Sequence, residues 1–126
     1  MIKRILVVSA TPAVLQLREH LGKQGLIHLV ESASVDEAVS RASTSHFDLL
    51  VICETIPRSM RRLVFNVAQV NNPNVKVVTV GREGPLLNEG YPVNASVSLA
   101  EGPELLASQV SKLLAPPPRN PTPPSP

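Results

Sequence analysis

The one thiol of this chain stands where a common type of fold carries out its chemistry. Cys53 ends a run of five apolar residues, Leu49 to Cys53, which follows Asp48 and precedes the segment Glu54 to Pro57. A run this short and this uniformly apolar is typical of a central strand in a parallel sheet, covered by helices on both faces. Open α/β sheets place their working residues at the carboxyl edge of such strands. Cys53 is therefore expected at that edge.

A cysteine in this position has two interpretations. It can act as a redox sensor, and the thiol would then be alkylated rapidly in the native protein. A cysteine at the end of a buried strand is more often an inert, small apolar residue, and we favour this interpretation. Because the chain has a single cysteine, an internal disulfide is excluded, and a reducing, cytoplasmic location is expected.

Three arginines, Arg58, Arg61 and Arg62, cluster just after Cys53 at the start of a predicted helix. They are a candidate binding site for an acidic partner. Such clusters more often form a solvated face, because arginine stems cover apolar surface. A helix start also binds anions readily, so an anion bound there would not by itself indicate a function.

The other side chains capable of chemistry form no pattern. The three histidines, His20, His28 and His46, lack the spacing of metal ligands, so no metal site is predicted. Glu54 and Glu83 have no neighbouring base or nucleophile and are expected to face water.

Composition excludes several functional classes. Charged residues make up 17% of the chain, apolar residues 43%, and the formal net charge is +2. Nucleic-acid and membrane-surface binders normally carry a dense basic face, so neither partner is expected. No stretch approaches the length needed to span a membrane, and the apolar run Ile5 to Val8 is shorter than the core of a secretion signal. Residues 1–115 suit one domain, and residues 116–126 hold seven prolines and predict a disordered tail or linker.

Strand and helix patterns alternate along residues 1–115. Short apolar runs predict five strands, at Ile5 to Val8, Leu26 to Val30, Leu49 to Cys53, Val75 to Val80 and Ala95 to Leu99. Helices are predicted between them, starting at Thr11 and Pro12, at the capping box of Ser34 and Glu37, near Ser59, and at Pro103; a short or irregular one is expected between Gly84 and Pro92.

This alternation predicts an α/β fold with a doubly wound parallel sheet. The two less apolar strands, Leu26 to Val30 and Ala95 to Leu99, are expected at the edges. We therefore expect a flavodoxin-like, five-stranded sheet of order 2-1-3-4-5 in a three-layer α/β/α arrangement. In the helix from about Ser59 to Val70, the predicted core face consists of Met60, Leu63, Val64, Val67 and Ala68.

Four blocks of the sequence resemble the receiver domain of bacterial response regulators, the CheY-like family. They are KRILVVSATP, FDLLVICETIP, VVTVGRE and GPELLASQVSKLL, in family order over roughly residues 3–114. Receivers accept a phosphoryl group from a histidine kinase on an aspartate. An acidic pair holds Mg²⁺, and a hydroxyl and a lysine help to neutralise the phosphoryl oxygens.

The resemblance assigns each part of that site to a position, and every position departs from the family. Ser9 and Ala10 replace the acidic pair, Cys53 the acceptor aspartate, Gly81 the hydroxyl and Ser98 the lysine. Ser9 and Ala10 cannot supply the anionic oxygens that Mg²⁺ requires, and without a cation nothing stabilises transfer to a thiol. The resemblance therefore implies a degenerate pseudo-receiver that is not an enzyme and needs no cofactor or metal.

By the same resemblance, the domain is a protein–protein interaction module in two-component-type bacterial signalling. Its expected partners are signalling proteins, either a histidine kinase or an output protein, and a homodimer through the last strand and its flanking helices is the form that receivers use. Ser96 stands where the family carries a switching aromatic residue, so we expect one conformation rather than two.

Two alternatives stay open. The carboxyl edge of a flavodoxin-like sheet can bind a small molecule, although the segments Ser9 to Pro12 and Gly81 to Pro85 are short and lack a glycine-rich phosphate cradle. Ligand-dependent shifts in melting temperature would favour this function. The chain can also be the sensory end of a longer protein, with the proline-rich tail leading to an output module.

Overall fold

The sheet strands of this protein follow the apolar runs of the sequence closely. The structure is a computed structural model that describes residues 3–8, 17, 19, 21–22, 29–81, 91–98 and 103–114. Its strands are β1 (Arg4–Val8), β2 (Leu29–Ala33), β3 (Leu49–Cys53), β4 (Lys76–Gly81) and β5 (Ala95–Ser98).

Helices follow β2, β3 and β5. They are α1 (Val35–Thr44), α2 (Arg58–Asn71) and α3 (Pro103–Leu114), and the described residues between β1 and β2, Leu17, Glu19, Leu21 and Gly22, are helical. At the start of α1, the Ser34 hydroxyl accepts a hydrogen bond from the Glu37 backbone N–H at 3.4 Å. The Glu37 carboxylate lies 3.9 Å from the Arg41 guanidinium one turn later. No described helix is long and apolar enough to cross a membrane.

All strand pairs are parallel, and β3 lies at the centre. The sheet has the order β2-β1-β3-β4-β5. Leu50 of β3 is paired with Leu6 of β1 on one side and with Val77 of β4 on the other. The prediction of an α/β fold with a parallel sheet is confirmed.

The core is divided by the sheet into two apolar clusters. Leu49, Val51 and Cys53 belong to the cluster on the face covered by α3, which we call the α3 face. Leu50 and Ile52 belong to the cluster on the opposite face, covered by α1 and α2, which we call the α1/α2 face. Because successive side chains of a strand point to opposite faces, β3 contributes to both clusters and has no solvent-exposed side.

The extent of the second strand was predicted wrongly. The predicted strand ended at Val30, whereas β2 continues to Ala33. Arg4 to Val8 of β1 are paired one by one with Leu29 to Ala33, so the hydrogen bonds to β1 determine where this edge strand ends. The polar residues Glu31 and Ser32 obscured that end in the sequence.

The buried face of α2 also differs from the prediction. Leu63 was placed on the core face but is 41% exposed, whereas Phe65 and Arg61 are buried. The Phe65 ring is stacked on Tyr91, with ring centroids 4.8 Å apart. Burying a phenylalanine stabilises more than burying a leucine at the margin of the same face, so the helix is turned toward Phe65.

Several predictions concern residues outside the described part of the chain. They are the helix start at Thr11 and Pro12, the irregular segment of residues 82–90, and the proline-rich segment of residues 116–126.

The side chain of Asn72 joins the end of α2 to the segment before β3, which makes it a test of this packing. Its amide group donates to the Phe47 carbonyl at 2.9 Å, and its amide oxygen accepts from the Asn74 N–H at 3.0 Å. Asn72→Ala should lower the free energy of unfolding by about 1–3 kcal/mol in urea denaturation, because buried polar partners lose their hydrogen bonds. Asn66→Ala, on the exposed side of α2, is the matched control and should have little effect. Equal losses in both variants would contradict the assigned role.

Candidate functional site

Three of the five sequence-predicted site positions lie at the carboxyl edge of the sheet. Cys53, Gly81 and Ser98 are the last residues of β3, β4 and β5. Cys53 is paired with Val80, and Gly81 is paired with Ser98, so the three ends are nearly level. Ser9 and Ala10 lie outside the described residues.

The Cys53 side chain is part of the core. Cys53 is only 4% exposed and belongs to the apolar cluster of the α3 face, together with Val80 and Val97. The inert interpretation of Cys53 is consistent with this burial, because reactive thiols lie in partly exposed, electropositive surroundings.

Cys53 and Ser98 point to opposite faces of the sheet. Val80 and Val97, one residue before Gly81 and Ser98, share the α3 face with Cys53. Alternation along the strands therefore directs Ser98 to the α1/α2 face. Thr79 and Ser96 lie two residues before Gly81 and Ser98 on the same strands. Their hydroxyl oxygens are 2.8 Å apart, so these two side chains share one face of the sheet. The edge thus brings these positions near each other without making the thiol and the Ser98 hydroxyl converge.

The residue types at this edge do not fit Mg²⁺. Magnesium requires hard oxygen ligands, and the three strand-end residues Cys53, Gly81 and Ser98 supply no carboxylate, although the exposed Glu54 follows Cys53 directly. In the part of the chain that the structure describes, no group of three or more His, Cys, Asp and Glu side chains could hold a metal.

The turn after β3 is held by a buried arginine. Arg61 is 8% exposed, and its Nη1 donates to the Ile56 carbonyl at 2.5 Å and to the Glu54 carbonyl at 3.4 Å. Backbone bonds support the same turn, from the Ile56 N–H to the Cys53 carbonyl at 3.1 Å and from the Arg61 N–H to the Pro57 carbonyl at 2.9 Å. The loop after Cys53 is thus held by an arginine of the next helix.

This role corrects the prediction for the arginine cluster. Arg61 was a candidate contact for an acidic partner, but its guanidinium group lies inside the fold. A buried charge needs hydrogen-bond acceptors around it, and the carbonyls of Glu54 and Ile56 supply them. Arg58 and Arg62 are exposed and remain candidates. The sequence did indicate that Arg61 differs from Arg58 and Arg62. Arg61 precedes the buried Val64 by three residues and Phe65 by four, which places it on the buried face of the helix.

His46 lies at the opposite end of β3 from Cys53. The His46 Nε2 lies 3.6 Å from the Asp48 Oδ1. The Asp48 Oδ2 accepts a hydrogen bond from the Arg4 backbone N–H at 2.9 Å. This arrangement fixes the amino edge of the sheet, so His46 has no part in the candidate site. Glu54, next to Cys53, is exposed as predicted. His20, His28 and Glu83 lie outside the described residues.

Comparisons with known proteins identify the fold. A response regulator from Hahella chejuensis superposes with a TM-score of 0.75 at 15% identity, over 90% of this chain and 96% of that one. A CheY-like receiver domain protein from Methanospirillum hungatei gives 0.64 at 22%, over 90% and 94%. The pilus assembly protein CpaE from Caulobacter crescentus gives 0.62 at 18%, over 88% and 98%.

These similarities show the receiver, CheY-like fold and nothing finer, because every identity is low. No protein-family model matches the sequence, and a search of curated proteins gives no match. The resemblance drawn from the four sequence blocks is confirmed at the level of the fold. Since both response regulators and a pilus assembly protein share it, function must be argued from the site.

The two neighbouring arginines of α2 give a matched test of the turn. Arg61→Ala should lower the free energy of unfolding by about 2–4 kcal/mol. The carbonyls of Glu54 and Ile56 lose a charged hydrogen-bond donor, and the buried aliphatic part of the Arg61 side chain is removed. Arg62→Ala, one residue away and exposed, should change it by less than about 0.5 kcal/mol. Urea denaturation measures both. Similar values for the two variants would show that the Arg61 contacts do not hold the turn.

Burial of Cys53 predicts slow alkylation. In the native protein, the thiol should react with iodoacetamide at least about a hundredfold more slowly than in the denatured chain, because access requires opening of the core. Mass spectrometry of timed samples measures both rates. Native reaction as fast as denatured reaction would favour the redox-sensor interpretation instead.

Proposed function

We propose that this domain is a pseudo-receiver that does not accept phosphate and acts as a protein–protein interaction module in two-component-type bacterial signalling. The observation that carries the proposal is the place of Cys53. It ends β3, where the resemblance to receivers expects the acceptor aspartate, and its side chain is buried among apolar residues of the α3 face.

The physical argument concerns charge. Phosphoryl transfer requires metal ions and cationic groups that neutralise the phosphoryl oxygens. By the resemblance, Ser9, Ala10 and Ser98 stand in place of the metal-binding acids and the lysine, and Gly81 supplies no hydroxyl. A phosphoryl group on Cys53 would also place charge against an apolar cluster, which is costly without paired cations. Catalysis is therefore absent from the proposal.

Two contacts argue that the domain does not switch. Arg61 already binds the carbonyls of the turn after β3. Ser96, at the position of the family's switching aromatic residue, shares a 2.8 Å hydrogen bond with Thr79. A ligand can shift a conformational equilibrium only if it binds two states with different affinities. A domain held in one conformation therefore transmits a signal through its abundance or through partner binding.

The proposed partners are signalling proteins, a histidine kinase or an output protein, in the cytoplasm. In the family, the last strand and its flanking helices form homodimers, and here that surface corresponds to β5 and α3. The fold also occurs in a pilus assembly protein, so a place in a larger assembly is a variant of the same interaction function.

The absence of phosphotransfer predicts the behaviour of one substitution. Cys53→Asp restores the acceptor carboxylate but none of the groups that hold the metal or neutralise the phosphoryl oxygens. Treatment with acetyl phosphate and Mg²⁺ should therefore give no phosphorylated product in intact-protein mass spectrometry.

An active receiver domain treated in parallel is the positive control for the reagent. Cys53→Asn, which is similar in shape and has no carboxylate, is the control for folding, and circular dichroism checks both variants. A stable phosphorylated Cys53→Asp product would show that the edge retains transfer chemistry, and the proposal would be wrong.

A further inference from the structure

Helix α2 carries a second apolar face beside its core face. The core face consists of Arg61, Val64, Phe65 and Ala68. Four other apolar side chains follow one another at intervals of three, four and three residues, which places them along one side of the helix. They are Met60, Leu63, Val67 and Val70, and we call them the α2 stripe.

The outer half of the α2 stripe faces solvent. Leu63 is 41% exposed and Val70 is 83% exposed, and they are the two exposed large apolar residues of the described part of the chain. Met60 and Val67 are half-buried and packed against the core of the α1/α2 face. Single exposed apolar residues are ordinary on protein surfaces. Two on one helix side, seven residues apart and continuous with half-buried neighbours, form a patch.

Spacing of this kind is the pattern by which helices recognise helices. Apolar residues at i, i+3, i+7 and i+10 form the seam of a heptad-type contact, and peptides that bind as helices use the same anchor positions. Leu63 and Val70 are separated by about two helical turns, or roughly 10 Å. The matching element is therefore a short amphipathic helix.

Charge indicates what kind of helix fits. The exposed side of α2 carries Arg58 and Arg62, and its whole span, Arg58–Asn71, contains no aspartate or glutamate. If a second copy of this protein bound through the same helix, its arginines would face Arg58 and Arg62, and α2 has no carboxylate to pair with them. Like charges across an interface are unfavourable, whereas carboxylates beside an arginine fork make paired hydrogen bonds.

We infer that the α2 stripe is the docking surface for an acidic amphipathic helix of a partner protein. Apolar side chains of that helix cover Leu63 and Val70, and aspartate or glutamate residues along one flank face Arg62. The inference rests on the proposed function, because it gives the interaction module a surface and a partner chemistry. That surface lies on the side of the sheet opposite α3.

The test uses the full chain and two synthetic helical peptides that share leucines at heptad spacing. One peptide has glutamate along the flank, and the other has lysine at the same places. Fluorescence anisotropy should show saturable binding of the glutamate peptide, weakened by added salt, and binding of the lysine peptide at least about tenfold weaker.

Paired variants locate the contact. Val70→Ser and Leu63→Ser should each weaken binding of the glutamate peptide by about tenfold, since each removes an apolar anchor. Gln69→Ser, next to Val70 on the same helix, should leave it unchanged. Arg62→Glu should weaken it by about tenfold or more and improve binding of the lysine peptide. Lys112→Glu makes the same charge change on α3 and should have no effect.

Several results would overturn the inference. They are no binding of the glutamate peptide, equal binding of the two peptides, or equal losses in Arg62→Glu and Lys112→Glu. Self-association in sedimentation that Val70→Ser abolishes would assign the α2 stripe to a second copy of this protein and overturn the inference as well.

Val70 is mostly exposed, so Val70→Ser should keep the fold. Changes in the amide chemical shifts of wild-type α2 on peptide addition give a second readout. Phosphate uptake is measured separately, so failure here is distinguishable from failure of the proposed function.

Discussion

The strand β3 has no side that faces water, and the rest of the structure follows from that constraint. All five residues from Leu49 to Cys53 are buried, alternately on the α3 face and on the α1/α2 face. A strand buried on both faces needs a neighbour on each edge and helices above and below, which is what a doubly wound parallel sheet provides. The same constraint places the Cys53 thiol inside the core. The architecture and the burial of the thiol thus have a common physical origin.

The turn at the carboxyl end of β3 is held by internal contacts. In the proposed function, Ser9, Ala10 and Ser98 take the places of a receiver's metal-binding acids and lysine, and the Arg61 guanidinium holds the turn after β3. A turn fixed in this way does not require a metal or a phosphoryl group for its conformation. Away from this turn, the exposed side of α2 presents apolar and basic side chains. These exposed groups are the basis of the proposed interaction surface.

The sequence predicted the elements whose formation depends on local pattern, and missed those decided by contacts distant in the chain. The uniform run Leu49 to Cys53 predicted β3 with its bounds, and Ser34 predicted the start of α1. The end of β2 depends on pairing with β1, and the burial of Arg61 depends on carbonyls that converge only in the folded turn. Arginine is normally a surface residue, so only its helical phase with Val64 and Phe65 indicated otherwise. The opposite orientation of Cys53 and Ser98 needed the register of three strands.

We propose that the carboxyl edge of this sheet has the form of a phosphate-acceptor site without its chemistry. The most direct measurement is intact-protein mass spectrometry of the wild-type chain after incubation with Mg²⁺ and a phosphorylated histidine kinase, beside an active receiver treated in the same way. The account predicts an unchanged mass for this chain and a phosphorylated control. A phosphoryl adduct on the wild-type chain, located at Cys53 by fragmentation, would contradict it.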